Sequence, residues 1–322
     1  MACRAIIVLA LLMTVSCAAR IDCPERILSG NGPSMQTFSY EPKELKPKVV
    51  STKVEDELVI QKLEFTVADM DGLPKRFKAY LLTSRFAREP RPAVILLPPT
   101  EGTYDLLIDF GRFFVERGYV AFIIERRSSF FKPERSDITY DKRLMIQTVI
   151  DVRRSIDWLQ SQEFVEPRRI AILGVSLGAI IAELATAADH RIGASAFLLG
   201  SSELDEVLLK SGYSRIVQYR RTLLEKLPGT KTEKMQAIKR ELADIEPANY
   251  ARYIDPKRVI FICARFDAII PYSISRRTIC NLNSPRSYAV PTGHYSTFLF
   301  KNWALKRVFR HFEETFALPQ DF

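Results

Sequence analysis

From residue 93 onward, short unbroken apolar runs alternate with stretches whose apolar residues recur every three or four positions. The runs lie at residues 93–97, 119–125, 169–175, 195–199, 258–264 and 287–290. Val, Ile, Leu and Phe without polar alternation mark strands covered on both faces, as in a parallel sheet between helices. The segments between them have helical spacing. Residues 104–117 carry Leu106, Leu107, Phe110, Phe113 and Phe114 ahead of Gly118, and residues 140–162 carry Leu144, Ile146, Ile150, Ile156, Trp158 and Leu159. Strand and helix in alternation predict an α/β fold with a mostly parallel central sheet, helices on both faces and right-handed crossovers. Upstream, residues 58–67 alternate and residues 77–82 form a second run, with Asp71-Gly72 as a turn between them, so an N-terminal antiparallel strand pair is expected.

Two stretches break this rhythm. Residues 20–50 hold Pro24, Pro33, Pro42 and Pro47 without an apolar period and read as a tether or surface wrap. Residues 203–255 separate two strands and read as three helices, at 204–210, 215–227 and 233–245, a helical cap insertion over the carboxyl ends of the strands. The domain proper thus runs over 51–322.

Residues 5–19 are apolar and uncharged between Arg4 and Arg20. They are too few to span a bilayer, which needs about 20 residues, and they end in small side chains, as a secretory signal peptide does. Cleavage after Ala18 or Ala19 would make residues 1–19 the signal. Thr14-Val15-Ser16-Cys17 also resembles a bacterial lipobox, in which case Cys17 is acylated and anchors the chain to a membrane. Either cut implies export, to a periplasmic, extracellular or membrane-anchored location. The later cysteines fit neither a zinc site nor a redox pair, and Cys263 and Cys280 read as buried thiols in preference to a disulfide.

Forty-seven Lys and Arg against 38 Asp and Glu give a net charge of +9. No long basic run interleaved with aromatics tracks a phosphate backbone, which argues against a nucleic-acid partner. Residues 210–241 concentrate basic side chains, read as a solvated helix face or as attraction to an anionic membrane or substrate.

The chemistry gathers at Gly174-Val175-Ser176-Leu177-Gly178, between an apolar strand and a helix rich in small residues. A strand-to-helix elbow this tight strains the serine backbone, and glycines two residues to either side remove side chains that would collide. Ser176 then stands exposed at the carboxyl edge of the sheet, with the Leu177 amide free to bind an oxyanion. The elbow, with Asp151-Val-Arg-Arg-Ser-Ile-Asp-Trp-Leu159 and Val165-Glu-Pro-Arg-Arg-Ile170 before it, resembles the α/β-hydrolase superfamily, in the branch of dienelactone hydrolases, acetylxylan esterases and prolyl-oligopeptidase domains. The resemblance spans residues 58–316.

It implies a Ser-His-acid triad in the order nucleophile, acid, base. Pro291-Thr-Gly-His294 matches the position of the base, and Arg265-Phe-Asp267-Ala-Ile-Ile-Pro271 resembles the turn that carries the acid. Glu203 and Asp205 are fallback acids, while His190 and His311 read as structural. The second oxyanion donor is expected from Pro98-Pro99-Thr100-Glu101. Proline has no N–H, and Thr100 is preferred to Glu101, which reads as facing water. Arg126 and Arg127 end a strand at the same edge, as solvated surface or as a carboxylate clamp.

The expectation is a serine hydrolase acting on ester bonds through an acyl-enzyme, with a small-molecule acyl substrate and neither cofactor nor metal. The alternatives are a peptidase, a lipase, or a non-catalytic lipoprotein of this fold that binds a ligand or partner.

Overall fold

The computed structural model describes residues 23, 33–67, 76–100 and 104–318. The signal and lipobox segment with Cys17, the Asp71-Gly72 turn, and Glu101 with Gly102 lie outside these residues. Among the described residues nine strands form one sheet: β1 (Lys48–Glu55), β2 (Leu58–Thr66), β3 (Arg76–Ser84), β4 (Arg91–Leu97), β5 (Val120–Ile124), β6 (Val165–Val175), β7 (Ile192–Leu198), β8 (Val259–Ala264) and β9 (Arg286–Val290). Their order across the sheet is β1-β2-β3-β5-β4-β6-β7-β8-β9. β1, β2 and β3 pair antiparallel, β3 meets β5 antiparallel, and every pairing from β5 to β9 is parallel.

Successive residues of β4 show why the apolar runs do not alternate. Ala93, Ile95 and Leu97 enter one core and Val94 and Leu96 the other, and all five are essentially without solvent contact. One face is covered by α2 (Ile138–Gln160) and α3 (Leu177–Ala188), the other by α1 (Tyr104–Val115) and α8 (Lys301–Phe316). Burying a Val, Leu or Ile side chain contributes roughly 1.5–3 kcal/mol, so these doubly covered strands carry most of the driving force for folding.

Between β7 and β8 the chain forms α4 (Leu204–Lys210), α5 (Ser214–Lys226) and α6 (Lys231–Leu242), followed by short 3-10 turns. Thr230 and Glu233 cap α6 reciprocally, the Thr230 hydroxyl accepting from the Glu233 amide and the Glu233 carboxylate from the Thr230 amide. α7 (Tyr272–Asn281) leads from β8 to β9.

Two features differ from the sequence reading, the start of β1 and the state of Cys280, and the stretch before β1 gains detail. β1 begins inside the stretch read as a tether; it is the edge strand, and its side chains are exposed from Lys48 to Val54, which leaves no apolar period to detect. Residues 33–47 lie against α2: Phe38 is fully buried beside the Tyr250 ring, its carbonyl accepts from Arg153, and the Tyr40 hydroxyl donates to Asp157. Cys280 is not a free thiol but is bonded to Cys23 across 257 positions, whereas Cys263 is free and buried, and burial pushes its thiol up to about 12. Connectivity over such a span has no signature in spacing.

Candidate active site

The carboxyl ends of β4, β6, β8 and β9 deliver the chemistry to one rim of the sheet. β6 ends at Val175 and α3 begins at Leu177, so Ser176 alone makes the turn, at φ 54° and ψ −118°. A left-handed φ costs a non-glycine residue of the order of 1–3 kcal/mol and persists only where the surroundings enforce it. Here they do. The Ser176 amide donates to the Leu198 carbonyl at the tip of β7, and the Ser176 carbonyl accepts from Ala179. A Cβ on Gly178 would stand 2.3 Å from the Leu97 carbonyl oxygen, and one on Gly174 would stand 2.1 Å from that of Gly178. Only glycine lets the first turn of α3 press against the ends of β4 and β6.

Asp267 and His294 reach the same rim because β8 and β9 stay paired beyond their ends. The Arg265 amide donates to the Val290 carbonyl and the Phe266 amide to that of Thr292, which brings the two following turns side by side. Oδ1 of Asp267 accepts from the Ile269 and Ile270 amides at 2.8 and 2.9 Å, leaving Oδ2 to meet His294 Nδ1 at 2.6 Å. The other ring nitrogen, Nε2, lies 3.0 Å from Ser176 Oγ. With the carboxylate accepting from Nδ1–H, Nε2 is left to accept the serine proton. All three side chains are buried, at 6%, 8% and 7% exposure for Ser176, Asp267 and His294. The Gly293-His294 turn is pinned from behind by the Gly293 amide donating to Ser296 Oγ and by the contact between the Thr292 and Thr297 hydroxyls.

The serine and the imidazole open onto a cavity of about 380 Å³. Pro99 and Thr100 from the loop after β4 line it, as do Leu106 of α1, Tyr213 at the start of α5, Ile269, Tyr295 and Phe298. Leu177 supplies the first amide of α3, one of the four that a helix leaves without an internal partner.

The remaining candidates fall elsewhere. Glu203 pairs with Arg277 and Asp205 with Lys239. His190 is exposed, and His311 is enclosed in α8 beside Phe312, where burial lowers its pKa. Arg127 is neither solvated nor a substrate clamp. Its guanidinium is buried in a two-point pair with Asp151 at 2.6 and 2.8 Å, an ion pair the sequence could not register because its halves sit in the loop after β5 and on a helix. The cavity walls Leu106, Tyr213, Ile269 and Phe298 were likewise not singled out beforehand. Leu106 belongs to a helix read only as core, Phe298 lies in a short 3-10 turn that has no sequence signature, and nothing in the insertion marks Tyr213 as the residue that reaches the site.

Among the described residues no group of three or more His, Cys, Asp or Glu is placed to hold a metal ion. No described helix is long and apolar enough to cross a membrane.

Residues 77–211 match the family model of the dienelactone hydrolase family. The search among curated proteins gives no match. Among solved structures the chain is similar to acetyl xylan esterase 1 from Thermoanaerobacterium sp. JW/SL YS485, at 17% identity and a TM-score of 0.63 over 86% of this chain and 95% of that one. It is similar also to an acetyl xylan esterase from Paenibacillus sp. R4, at 16% identity and 0.61 over 83% and 90% of the two chains. A third likeness is to Est1E from Butyrivibrio proteoclasticus, at 15% and 0.56 over 78% and 98%. Identities this low speak for the fold, and the fold agrees with the sheet order and the strand-elbow-helix turn at Ser176. The chain has the α/β-hydrolase fold, and its residues 77–211 match the dienelactone hydrolase family.

Proposed function

We propose that this protein is a serine ester hydrolase that works through an acyl-enzyme, with Ser176 as nucleophile, His294 as general base and then acid, and Asp267 as the carboxylate that orients it. The observation that carries this reading is the unbroken chain of contacts, 3.0 Å from Oγ to Nε2 and 2.6 Å from Nδ1 to the carboxylate, opening onto one cavity. The serine proton passes to Nε2 as Oγ attacks the acyl carbon. The carbonyl oxygen becomes an oxyanion held by the Leu177 and Thr100 amides, at a buried serine where such bonds count for more than in water. On collapse the C–O bond to the alcohol breaks and Nε2–H protonates the leaving alkoxide. Water enters by the same route, gives its proton to Nε2 and releases the acid, with Ser176 reprotonated. Asp267 keeps Nδ1 protonated and steadies the imidazolium formed in each half-reaction.

The Cys23–Cys280 bond favours an oxidising compartment and therefore export. Anchoring through an acylated Cys17 is part of the same proposal, as is the division into an N-terminal signal, a wrap and one hydrolase domain with its helical insertion. A fluorophosphonate probe tests the chemistry: covalent labelling of the folded protein is expected to vanish in Ser176→Ala, with kcat/KM on p-nitrophenyl esters down by about 10⁴ or more. Folded protein that takes no label, or Ser176→Ala that still does, overturns it.

A further inference from the structure

We propose that the ester this site takes is apolar on both sides of the scissile bond, an acyl chain longer than acetyl joined to an apolar alcohol. This rests on the serine-hydrolase reading above and goes beyond it. The order of the sheet sets the direction of the substrate. Ser176 stands at the tip of β6, with β4 and its Pro99-Thr100 loop on one side and the β8 and β9 turns, which carry Asp267 and His294, on the other. The alcohol must leave past the imidazole that protonates it, so the acyl chain runs the opposite way, toward Pro99 and Leu106.

That side of the cavity is apolar, closed by Leu106 and Phe298, which pack into the core on the α1 and α8 face. None of the described lining residues carries a charge except His294 when protonated. An acyl group bearing its own carboxylate would be buried there without a partner, a strong penalty. A volume of about 380 Å³ is far more than an acetyl group fills, and apolar walls reward each methylene added until the space is full.

The leaving-group side has its own apolar surface. Phe266 precedes the acid, Tyr295 follows the base, and Leu299 sits in the next turn; they are 71%, 59% and 85% exposed. The Phe266 amide bonds to Thr292, which holds Phe266 against the loop that carries His294 and Tyr295. Single exposed apolar residues are ordinary, but Phe266 and Tyr295 are the chain neighbours of the acid and the base, and Tyr295 also lines the cavity.

The test is kcat/KM on soluble esters below their aggregation limit. Across p-nitrophenyl acetate, butyrate and hexanoate it is expected to rise by roughly fourfold per methylene, and p-nitrophenyl hemisuccinate is expected to fall at least tenfold below butyrate. Leu106→Trp, which fills the acyl side, should lower the hexanoate-to-acetate ratio at least tenfold, and Leu106→Ser, which makes that wall polar and should lower the same ratio, serves as a second variant if that one does not fold. For the alcohol side, Phe266→Ser/Leu299→Ser should lower the ratio of hexyl to methyl butyrate severalfold. If fluorophosphonate labels Ser176 yet acetate or hemisuccinate is hydrolysed as well as hexanoate, the apolar-substrate inference falls and the serine-hydrolase reading stands. If nothing labels, that reading falls and the inference with it.

Discussion

Asp267 at the tip of β8 and Asp151 within α2 are both buried, and both have hydrogen bonds to each carboxylate oxygen. Asp267 faces two backbone amides and an imidazole. Asp151 faces the guanidinium of Arg127, with the Gln147 side-chain amide donating to it as well. A guanidinium keeps its proton at every working pH, so although burial acts to raise the Asp151 pKa, the cation opposite it is permanent and the pair ties α2 to the loop after β5. Imidazole has one nitrogen that donates and one that accepts, so it can take a proton and hand it on, and the same carboxylate chemistry around His294 can take part in a reaction cycle. What a buried carboxylate does is decided by the group opposite it more than by its depth.

Exchanging the carboxylate at the rim should give the largest effect on catalysis and little on folding. In Asp267→Asn the remaining oxygen still accepts from the Ile269 and Ile270 amides, so the turn is kept. The side-chain NH₂ now faces Nδ1, forces the proton onto Nε2, and removes the acceptor that Ser176 needs. Turnover should fall about 10⁴-fold with an unchanged melting curve, as wrong-tautomer variants of such triads do. A variant that melts far below the wild type would show that Asp267 is held as Asp151 is, as structure.

The converse change belongs at Arg127. Arg127→Leu leaves Asp151 buried without its cation, expected to destabilise by about 3–5 kcal/mol, whereas replacing both partners with apolar residues of similar volume should restore much of that. Urea unfolding measures the loss. The fraction still folded should turn over p-nitrophenyl esters within about twofold of wild type, since Arg127 does not line the cavity.

Sequence pattern reached the three residues at the rim because each sits in a motif with a local cause: a strained elbow framed by Gly174 and Gly178, an Asp turn after an apolar strand, and a His after the last strand. It also reached the parallel strands, whose double burial writes itself as unbroken apolar runs. It did not reach β1, whose exposed edge has no period, nor Arg127 with Asp151 and Cys23 with Cys280, whose partners are joined only by the fold. The cavity was invisible for the same reason. Its walls come from α1, α5 and two turns, and none of those residues departs from what an ordinary core helix or loop would contain.

The disulfide asks how much the acid turn owes to its own bonds. Cys280 sits near the end of α7, the helix that follows the Asp267 turn, so the bond to Cys23 holds the far end of that helix. Replacing both cysteines with serine should lower stability by about 2–4 kcal/mol. If the two amide bonds to Oδ1 suffice to hold the turn, kcat at 25 °C should stay within about twofold. A drop of more than tenfold in kcat with the fold intact would mean that Asp267 is positioned through α7.

The smallest effect is expected at Glu206 of α4, a carboxylate between the two extremes. Burial acts to raise its pKa, but hydrogen bonds from Lys210 and Lys239 outweigh that and hold it at about 2. The folded protein therefore keeps this group ionised where the unfolded chain, at the ordinary value of 4.5, would take up a proton. Its stabilisation is complete above the unfolded value and is lost as pH falls from there toward 2. Because both lysines are largely exposed, solvent screens the pairs and the contribution is of the order of 1 kcal/mol or less. Glu206→Gln should thus lower the urea midpoint slightly at pH 6, and the gap from wild type should narrow below pH 4.5 and close only near pH 2. A gap that stays constant over that range would mean that the lysines contribute by packing and not by charge, placing Glu206 beside Asp151 as a fixed tie.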